Sequence, residues 1–147
     1  MRLWHYELIP ILPNQMLVSQ WRECIAIKRQ WEKGTLKHRL VSYVKNYDTS
    51  IFSNYVTLVA NEMDKRNIKF KIEYLDEIFE FSSNLNTVLF IPYPEHNDRY
   101  LKQCFYNLEE KYDRRHYNGR RMGQDFRVSL QRKYHRIIVE KGEEENE

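Results

Sequence analysis

The sequence contains few of the residues on which several common kinds of site depend. Its 147 residues include four glycines, four prolines and two cysteines. So few glycines argue against a glycine-rich loop for phosphate binding, and the two cysteines form no zinc motif. No apolar run approaches the roughly 20 residues that a membrane-spanning helix needs. With 41% apolar and 31% charged residues, the chain is instead typical of one soluble globular domain.

Motifs for metal binding and for nucleophilic side chains are absent as well. The five histidines stand singly, so that no HxxxH or HExxH pair occurs, and the nucleophile-elbow and phosphate-loop patterns are missing. Cys24 and Cys104 fall on apolar stripes and are expected in the core. The charge of Glu23 beside Cys24 would raise the thiol pKa rather than lower it. We therefore expect neither a metal nor a cofactor.

Charge is present in separate blocks that the modest net charge of +3 conceals. Residues 1–45 carry a net charge of +5, and residues 114–136 carry +7. The intervening residues 46–113 carry −5, and residues 137–147 carry −4. Basic blocks of this kind commonly bind a polyanion such as nucleic acid.

Apolar spacing predicts a mainly α fold, organised as a compact single-domain helical structure with a basic C-terminal extension. The helical domain is expected over residues 1–113. Residues 114–139 are expected to form a basic segment that packs on the domain or becomes ordered on DNA. The acidic tail, residues 140–147, is expected to be disordered because it is polar and highly charged.

Five stretches show helical spacing or the residues that begin and end helices. The clearest begins with an N-cap at Asn14 and ends at Gly34, and a later one ends at Asn67 in a left-handed conformation. Asn97 or Asp98 is expected to cap the fourth. The predicted helices are residues 14–33, 37–46, 51–66, a segment beginning near residue 98, and residues 128–139, whereas residues 74–81 and 87–91 are ambiguous.

The outer face of the first predicted helix is basic and carries one carboxylate, Glu23, beside Arg22. One interpretation is a solvated ion pair between these two side chains. The other is a carboxylate held among Arg2, Arg22 and Arg29 on a face that meets a phosphate backbone. Since a carboxylate on such a face opposes DNA binding electrostatically, it would need a chemical role there.

The N-terminal segment carries a specific pattern of motifs: MRLWH at residues 1–5, LIP at 8–10, LP at 12–13 and QWREC at 20–24, together with Gln15. This pattern resembles the opening of the pyrimidine-dimer DNA glycosylases, the endonuclease V type of phages and their bacterial relatives. The resemblance covers most of residues 1–113. Supporting matches lie at residues 62–63, 66–68, 94–98, 100–101 and 107–108.

The resemblance implies a compact, mainly helical, metal-free enzyme that repairs ultraviolet-damaged DNA. Such enzymes cut the glycosidic bond of the 5′ base of a cyclobutane pyrimidine dimer and then nick the abasic strand by β-elimination. Their nucleophile is the chain's own α-amino group, which is expected here on Met1, because a bulky Arg2 normally keeps the initiator in place. Glu23 matches the assisting glutamate, while Arg2, Arg22 and Gln15 match positions that contact DNA.

The chemistry of these groups fits that implied activity. An α-amine, with a pKa of about 7.7–8.0 in general, is partly neutral near pH 7 and can attack the anomeric carbon of deoxyribose to form a protonated imine. A carboxylate such as Glu23 would stabilise the positive charge that develops on the sugar and could then move protons.

A second DNA contact is predicted from composition rather than from the resemblance. Residues 112–121 are aromatic and basic, and their arginines are expected to bind phosphates. The alternative is an ordinary solvated basic loop. The arginines assigned to DNA binding on composition are Arg114, Arg115, Arg120 and Arg121, and Arg29 is assigned to it as part of the basic face of the first predicted helix.

The sequence therefore predicts a DNA glycosylase and abasic-site lyase whose partner is double-stranded DNA with damaged pyrimidines. It is expected to be a monomer in the cytoplasm, in a bacterial nucleoid or a phage-infected host, with no membrane association. Two alternatives stay open. One is a non-catalytic nucleic-acid-binding protein that retains the fold, and the other is a structural protein whose basic C-terminal block meets an acidic partner.

Overall fold

A computed structural model describes residues 1–82, 90–114 and 124–145. Within these ranges the secondary structure is helical, without a strand, which confirms the predicted mainly α class. None of the described helices is both long enough and apolar enough to cross a membrane. The α-helices are α1 (Asn14–Glu32), α2 (Thr49–Lys65), α3 (Ile72–Phe81), α4 (Asp98–Arg114) and α5 (Gln124–Glu145), and Tyr6–Ile11 and Ser42–Asn46 are 3-10 helices.

Helix α1 has the predicted amphipathic pattern, but it begins one residue away from the predicted cap. Gly34 ends it with a φ of 73°, as expected of a glycine stop. At the other end, Pro13 occupies the cap position, and its carbonyl accepts the Leu17 N–H. The N-cap prediction for Asn14 was therefore wrong, because the Asn14 side chain accepts a hydrogen bond from Arg66 at the end of α2. The buried inner stripe contains Leu17, Trp21, Cys24, Ile25 and Lys28.

The chain between α1 and α2 differs from the regular helix predicted for residues 37–46. Only Ser42–Asn46 is helical, and its geometry is 3-10. Val41 and Val44 are buried as predicted, but Leu40 is 48% exposed. The His38 carbonyl closes a turn by accepting two successive backbone N–H groups, which turns the chain at the point where the spacing had suggested helix.

Helix α2 forms the centre of the N-terminal part. Asp48 caps it by accepting the Ser50 N–H, and Asn67 follows its end with a φ of 58°, which confirms the predicted left-handed stop. The chain then enters α3, which resolves the ambiguous residues 74–81 as helix. The apolar face of α2 is buried as predicted, through Phe52, Tyr55, Val56, Val59 and Met63.

The chain divides into two compact units, Met1–His96 and Asn97–Glu147. The first unit contains α1, α2 and α3. In the second unit Asn97 accepts the Tyr100 N–H at the start of α4, which confirms the predicted cap. Phe105 of α4 stacks on Tyr134 of α5 with ring centroids 3.9 Å apart.

Helix α5 is longer than the predicted segment of residues 128–139. It continues to Glu145, so that residues 140–145, for which composition predicts disorder, are helical in the structure. Most of the ambiguous residues 87–91 lie outside the described residues. The two that are described, Phe90 and Ile91, are 39% and 56% exposed.

A buried histidine fixes the start of the first 3-10 helix within the first unit. His96, 5% exposed, accepts the Tyr6 N–H on Nδ1 at 3.3 Å, and its Nε2 lies 2.8 Å from the Tyr43 hydroxyl. Because Nδ1 accepts, the ring is neutral and its proton is on Nε2. Burial, with a further contribution from nearby His5, lowers the pKa of His96 to about 3.

We expect acidification from pH 7 to pH 4.5 to lower the free energy of unfolding through His96. The unfolded chain takes up this proton near pH 6.5, whereas the folded chain resists it until about pH 3. The folded state therefore loses about 1.4 kcal/mol of stability per pH unit in this window. His96→Asn should be less stable at pH 7 but should show a flatter profile, as measured by urea denaturation at each pH.

His135, exposed on α5, provides the matched control, and His135→Asn should retain the steep wild-type profile. A profile for His96→Asn as steep as that of the wild type would show that other groups cause the acid sensitivity.

Candidate active site

The N-terminal segment, residues 1–5, combines an accessible amine with buried side chains. Met1 is 37% exposed, whereas Leu3, Trp4 and His5 are at most 6% exposed. The Arg2 guanidinium lies over the Trp4 ring, 5.3 Å from its centroid, in a cation–π contact. The segment is therefore held firmly immediately after its first two residues, while its amine lies at the surface.

The amide of Gln20, on α1, joins this segment to Glu23. Its nitrogen donates to the Arg2 carbonyl at 3.0 Å and to Glu23 Oε2 at 3.3 Å. Its oxygen accepts the Trp4 N–H at 2.7 Å and the Tyr55 hydroxyl at 3.1 Å. One buried side chain thus contacts both the backbone that carries the predicted nucleophile and the predicted catalytic carboxylate.

Sequence reasoning used Gln20 only as part of a family motif and assigned no role to Tyr55. A signal was available for Gln20, since it lies between Leu17 and Cys24 on the buried stripe of α1. A glutamine in an apolar stripe needs buried hydrogen-bond partners. The same argument applies to the hydroxyl of Tyr55 on the buried face of α2, although its partners, 35 and 51 positions away, could not be named from the sequence.

The α-amine itself contacts a histidine that sequence reasoning did not single out. The Met1 nitrogen lies 3.5 Å from His38 Nε2. His38 Nδ1 accepts the Leu40 N–H at 3.3 Å, which orients the ring with Nε2 toward the amine.

The structure separates the three arginines that were predicted to surround Glu23. Arg2 is linked to Glu23 through its carbonyl and Gln20, and Arg22 is exposed beside Glu23 without an ion pair in the part of the chain that the structure describes. Arg29, nearly two helical turns further along α1, forms two hydrogen bonds to Glu77 of α3. Its charge is therefore compensated within the first unit.

An open cleft of about 290 Å³ lies between α1 and the start of α3. One wall carries Arg22, the residue before Glu23, and another carries Tyr74, over whose ring the Arg29 guanidinium lies at 5.3 Å. The cleft thus combines aromatic and apolar surface with positive charge, which suits contact with both the bases and the phosphates of a nucleic acid. Its lining consists of Trp21, Arg22, Ile25, Ala26, Arg29 and Tyr74.

The remaining predicted DNA contacts lie elsewhere. Gln15 is half-buried in the first turn of α1. Arg114 is the last residue of α4, where only its backbone is described. The predictions for Arg115, Arg120 and Arg121 fall outside the described residues.

Neither cysteine is available as a nucleophile, which agrees with the sequence prediction. Cys24 and Cys104 are both fully buried. Burial raises the pKa of the Cys24 thiol, and the Glu23 charge raises it further. Over the described ranges, no three His, Cys, Asp or Glu side chains group as metal ligands would.

Glu77 binds two cations of α1 and thereby attaches α3 to it. Glu77 Oε1 lies 3.1 Å from Lys28 Nζ and 3.1 Å from Arg29 Nε. Lys28, 5% exposed, also contacts Glu32. The hydrogen bond from Arg29 and the contact with Lys28 lower the pKa of Glu77 to about 2, against the opposing effect of burial.

Comparison with known proteins agrees with the resemblance seen in the N-terminal residues. A sequence model of a family described as pyrimidine dimer DNA glycosylase matches residues 1–76, more than half of the chain. The matched region includes Met1, Gln20, Glu23 and Tyr55. No curated protein and no solved structure matches the chain at a significant level.

The contacts of Glu77 predict that its neutralisation destabilises the first unit. Glu77→Gln would leave Lys28 buried with one fewer anionic partner, and we expect the free energy of unfolding to fall by about 1–3 kcal/mol. Urea denaturation at pH 7 measures this change. Glu80→Gln, an exposed position on the same helix, is the matched control, and equal stabilities for the two variants would contradict the prediction.

Proposed function

The chain belongs to the pyrimidine dimer DNA glycosylase family, and from this premise we propose a two-step reaction on damaged DNA. In the first step the Met1 amine displaces the 5′ base of a pyrimidine dimer from its deoxyribose. In the second, Glu23 assists β-elimination at the abasic sugar. A DNA glycosylase activity directed at pyrimidine dimers is the function that the family description gives, and the lyase step and the residue roles are our proposal.

The observation that carries the proposal is the shared contact at Gln20. The Arg2 carbonyl and the Glu23 carboxylate both accept hydrogen bonds from the same amide nitrogen, at 3.0 and 3.3 Å. The N-terminal segment, which carries the amine, therefore lies beside the Glu23 carboxylate at the surface of the first unit. A nucleophile and an acid-base group held in this way can act on one sugar.

The bond changes follow from the chemistry of the two groups. The bond from Met1 nitrogen to C1′ forms as the bond from C1′ to the base breaks, and the base leaves with its electron pair. The nitrogen then gives up one proton to O4′ as the C1′–O4′ bond breaks, and the opened sugar carries a protonated imine. Glu23 stabilises the positive charge in these steps and then accepts a proton from C2′, after which the C3′–O bond breaks. Hydrolysis of the imine returns the free amine.

His38 supports the nucleophilic role of Met1. Its Nε2 lies 3.5 Å from the amine nitrogen, so an imidazole stands within hydrogen-bonding reach of the group that would gain and lose a proton in the reaction. Leu3, Trp4 and His5 are buried, so the chain that carries the amine is held in place two residues after it.

We propose that the phosphates of double-stranded DNA are bound by cations beside these groups, with the protein acting as a monomer. Arg2 and Arg22 are the best placed, since neither is engaged in an ion pair over the described ranges. Gln15 on the same helix would contribute a polar contact. Arg29 would have to exchange Glu77 for a phosphate. In the C-terminal block, Arg114, Arg115, Arg120 and Arg121 would add salt-dependent affinity.

Reduction of the imine tests the nucleophile directly. Borohydride added during reaction with a duplex that contains a cyclobutane dimer should trap a covalent protein–DNA adduct, and peptide mapping should place it on Met1. A non-removable extension before Met1 should abolish the adduct. An adduct on a lysine would overturn the role of Met1, and no adduct with either dimer-containing or abasic DNA would refute the proposed reaction.

Removal of the carboxylate charge tests the second role. Glu23→Gln should lower the rate of strand cleavage by at least about a hundredfold, while the Kd for damaged duplex stays within a few fold of the wild-type value. Glu73→Gln, an exposed change on α3, is the control and should cleave normally. Unchanged cleavage by Glu23→Gln with retained binding would indicate a nucleic-acid-binding protein whose carboxylate has no catalytic part.

A further inference from the structure

We propose that Gln20 is the positioning residue of this site and that Tyr55, which donates a hydrogen bond to it, holds it in place. Its amide sets the separation and orientation of the amine-bearing segment relative to the Glu23 carboxylate. The inference rests on the proposed function and assigns a role that the family match does not give. Neither residue is expected to touch the substrate, because both are at most 1% exposed.

The hydrogen-bonding capacity of Gln20 is fully used, which gives its amide a single orientation. The two N–H groups donate to the Arg2 carbonyl and to Glu23, and the oxygen accepts from the Trp4 N–H and Tyr55. A flipped amide would direct its N–H groups at the Trp4 N–H and its oxygen at the Glu23 carboxylate. Both contacts would be repulsive, so the observed orientation is strongly preferred.

Tyr55 supports this orientation from α2. Its hydroxyl lies 2.6 Å from the Trp4 carbonyl and 3.1 Å from Gln20 Oε1, so both acceptors share its proton. The hydroxyl therefore ties the backbone of the N-terminal segment and the Gln20 amide to the same buried point of the fold. Movement of the segment would break contacts with two helices at once.

The geometry at Glu23 shows what the positioning achieves. Gln20 occupies Oε2, whereas Oε1 makes no hydrogen bond within the described parts of the chain. One carboxylate oxygen is thus fixed by the protein and the other is available to a sugar bound beside the amine. Misplacement of a reacting group by about 1 Å can cost on the order of a hundredfold in rate, so the loss of this contact should affect chemistry more than binding.

Gln20→Glu distinguishes a positioning role of Gln20 from a purely structural one. The introduced carboxyl keeps the size of the side chain and the acceptor for Trp4, but when ionised it repels Glu23 and the Arg2 carbonyl. At pH 8 we expect borohydride trapping on dimer-containing duplex to slow by about ten- to a hundredfold, with the Kd within a few fold of wild type. On protonation the new carboxyl loses this repulsion and gains one O–H, which can donate to either the Arg2 carbonyl or Glu23, where the amide donates to both.

The ratio of variant to wild-type trapping rate should therefore rise as the pH falls from 8 to 5.5. Use of the ratio cancels the pH effects that the two proteins share, and the coupling between the introduced carboxyl and Glu23 is part of the effect that the ratio measures. Gln20→Met, which has no hydrogen-bonding group, should be slow at every pH and show no such recovery. Gln30→Glu makes the same change elsewhere on α1, at a half-buried position, and should trap like the wild type.

The outcomes separate this inference from the proposed function. If the wild type forms no adduct, the proposed reaction fails and the role of Gln20 fails with it. If the wild type forms the adduct and Gln20→Glu traps at the wild-type rate at pH 8, or stays slow at pH 5.5, only the positioning role is overturned.

Tyr55→Phe extends the test to a variant that keeps the buried ring. It should fold, as judged by circular dichroism, and trap about tenfold more slowly with an unchanged Kd. A wild-type rate in this folded variant would overturn the part of the proposal that concerns Tyr55.

Discussion

The structure of the first unit depends on one constraint: a buried, non-helical N-terminal segment must obtain its hydrogen bonds from side chains. Residues 2–4 precede the cap of the first helix, so their backbone groups lack the partners that a helix provides, and buried backbone groups without partners are costly. Gln20 satisfies the Arg2 carbonyl and the Trp4 N–H, and Tyr55 satisfies the Trp4 carbonyl. The interactions that make the segment stable are the same ones that place it beside Glu23.

The packing of the first unit gives the cations of α1 two different roles. Lys28 and Arg29 bind Glu77 and thereby hold α3 against α1. Arg22, one to two turns earlier, stays exposed beside Glu23 and lines the open cleft. A stripe that reads as uniformly basic in the sequence thus contains structural cations at one end and a cation available to a polyanion at the other.

Local patterns allowed much of the fold to be predicted, because helix faces and helix ends depend on neighbouring residues. The buried stripes of α1 and α2 and the stops at Gly34 and Asn67 follow from spacing and from backbone preference. Asn14 shows the limit of such reasoning, since a partner 52 positions away recruits its side chain. The pairing of Tyr6 with His96, 90 positions apart, is equally invisible to local patterns.

The candidate site also combines residues that could be predicted from the sequence with contacts between distant residues that could not. Met1, Glu23 and Arg22 could be named in advance because a family motif carries them, and the family match over residues 1–76 agrees with that motif. The contacts that relate these residues in space could not be named, since they pass through Gln20 and Tyr55 on different helices. The sequence thus indicated the groups that we propose to react, and the fold supplies the contacts between the segment and Glu23.

The location of those contacts determines when the site is assembled. Gln20 and Tyr55 are buried and fully engaged without DNA, so the relation between the segment and Glu23 is set when the first unit folds. DNA binding then need not order the two groups, and the entropy of bringing them together has already been offset by burial of the segment. In the proposed reaction, what remains for DNA binding is to place one sugar between the amine and the Glu23 carboxylate, a task that we assign to the exposed cations around them.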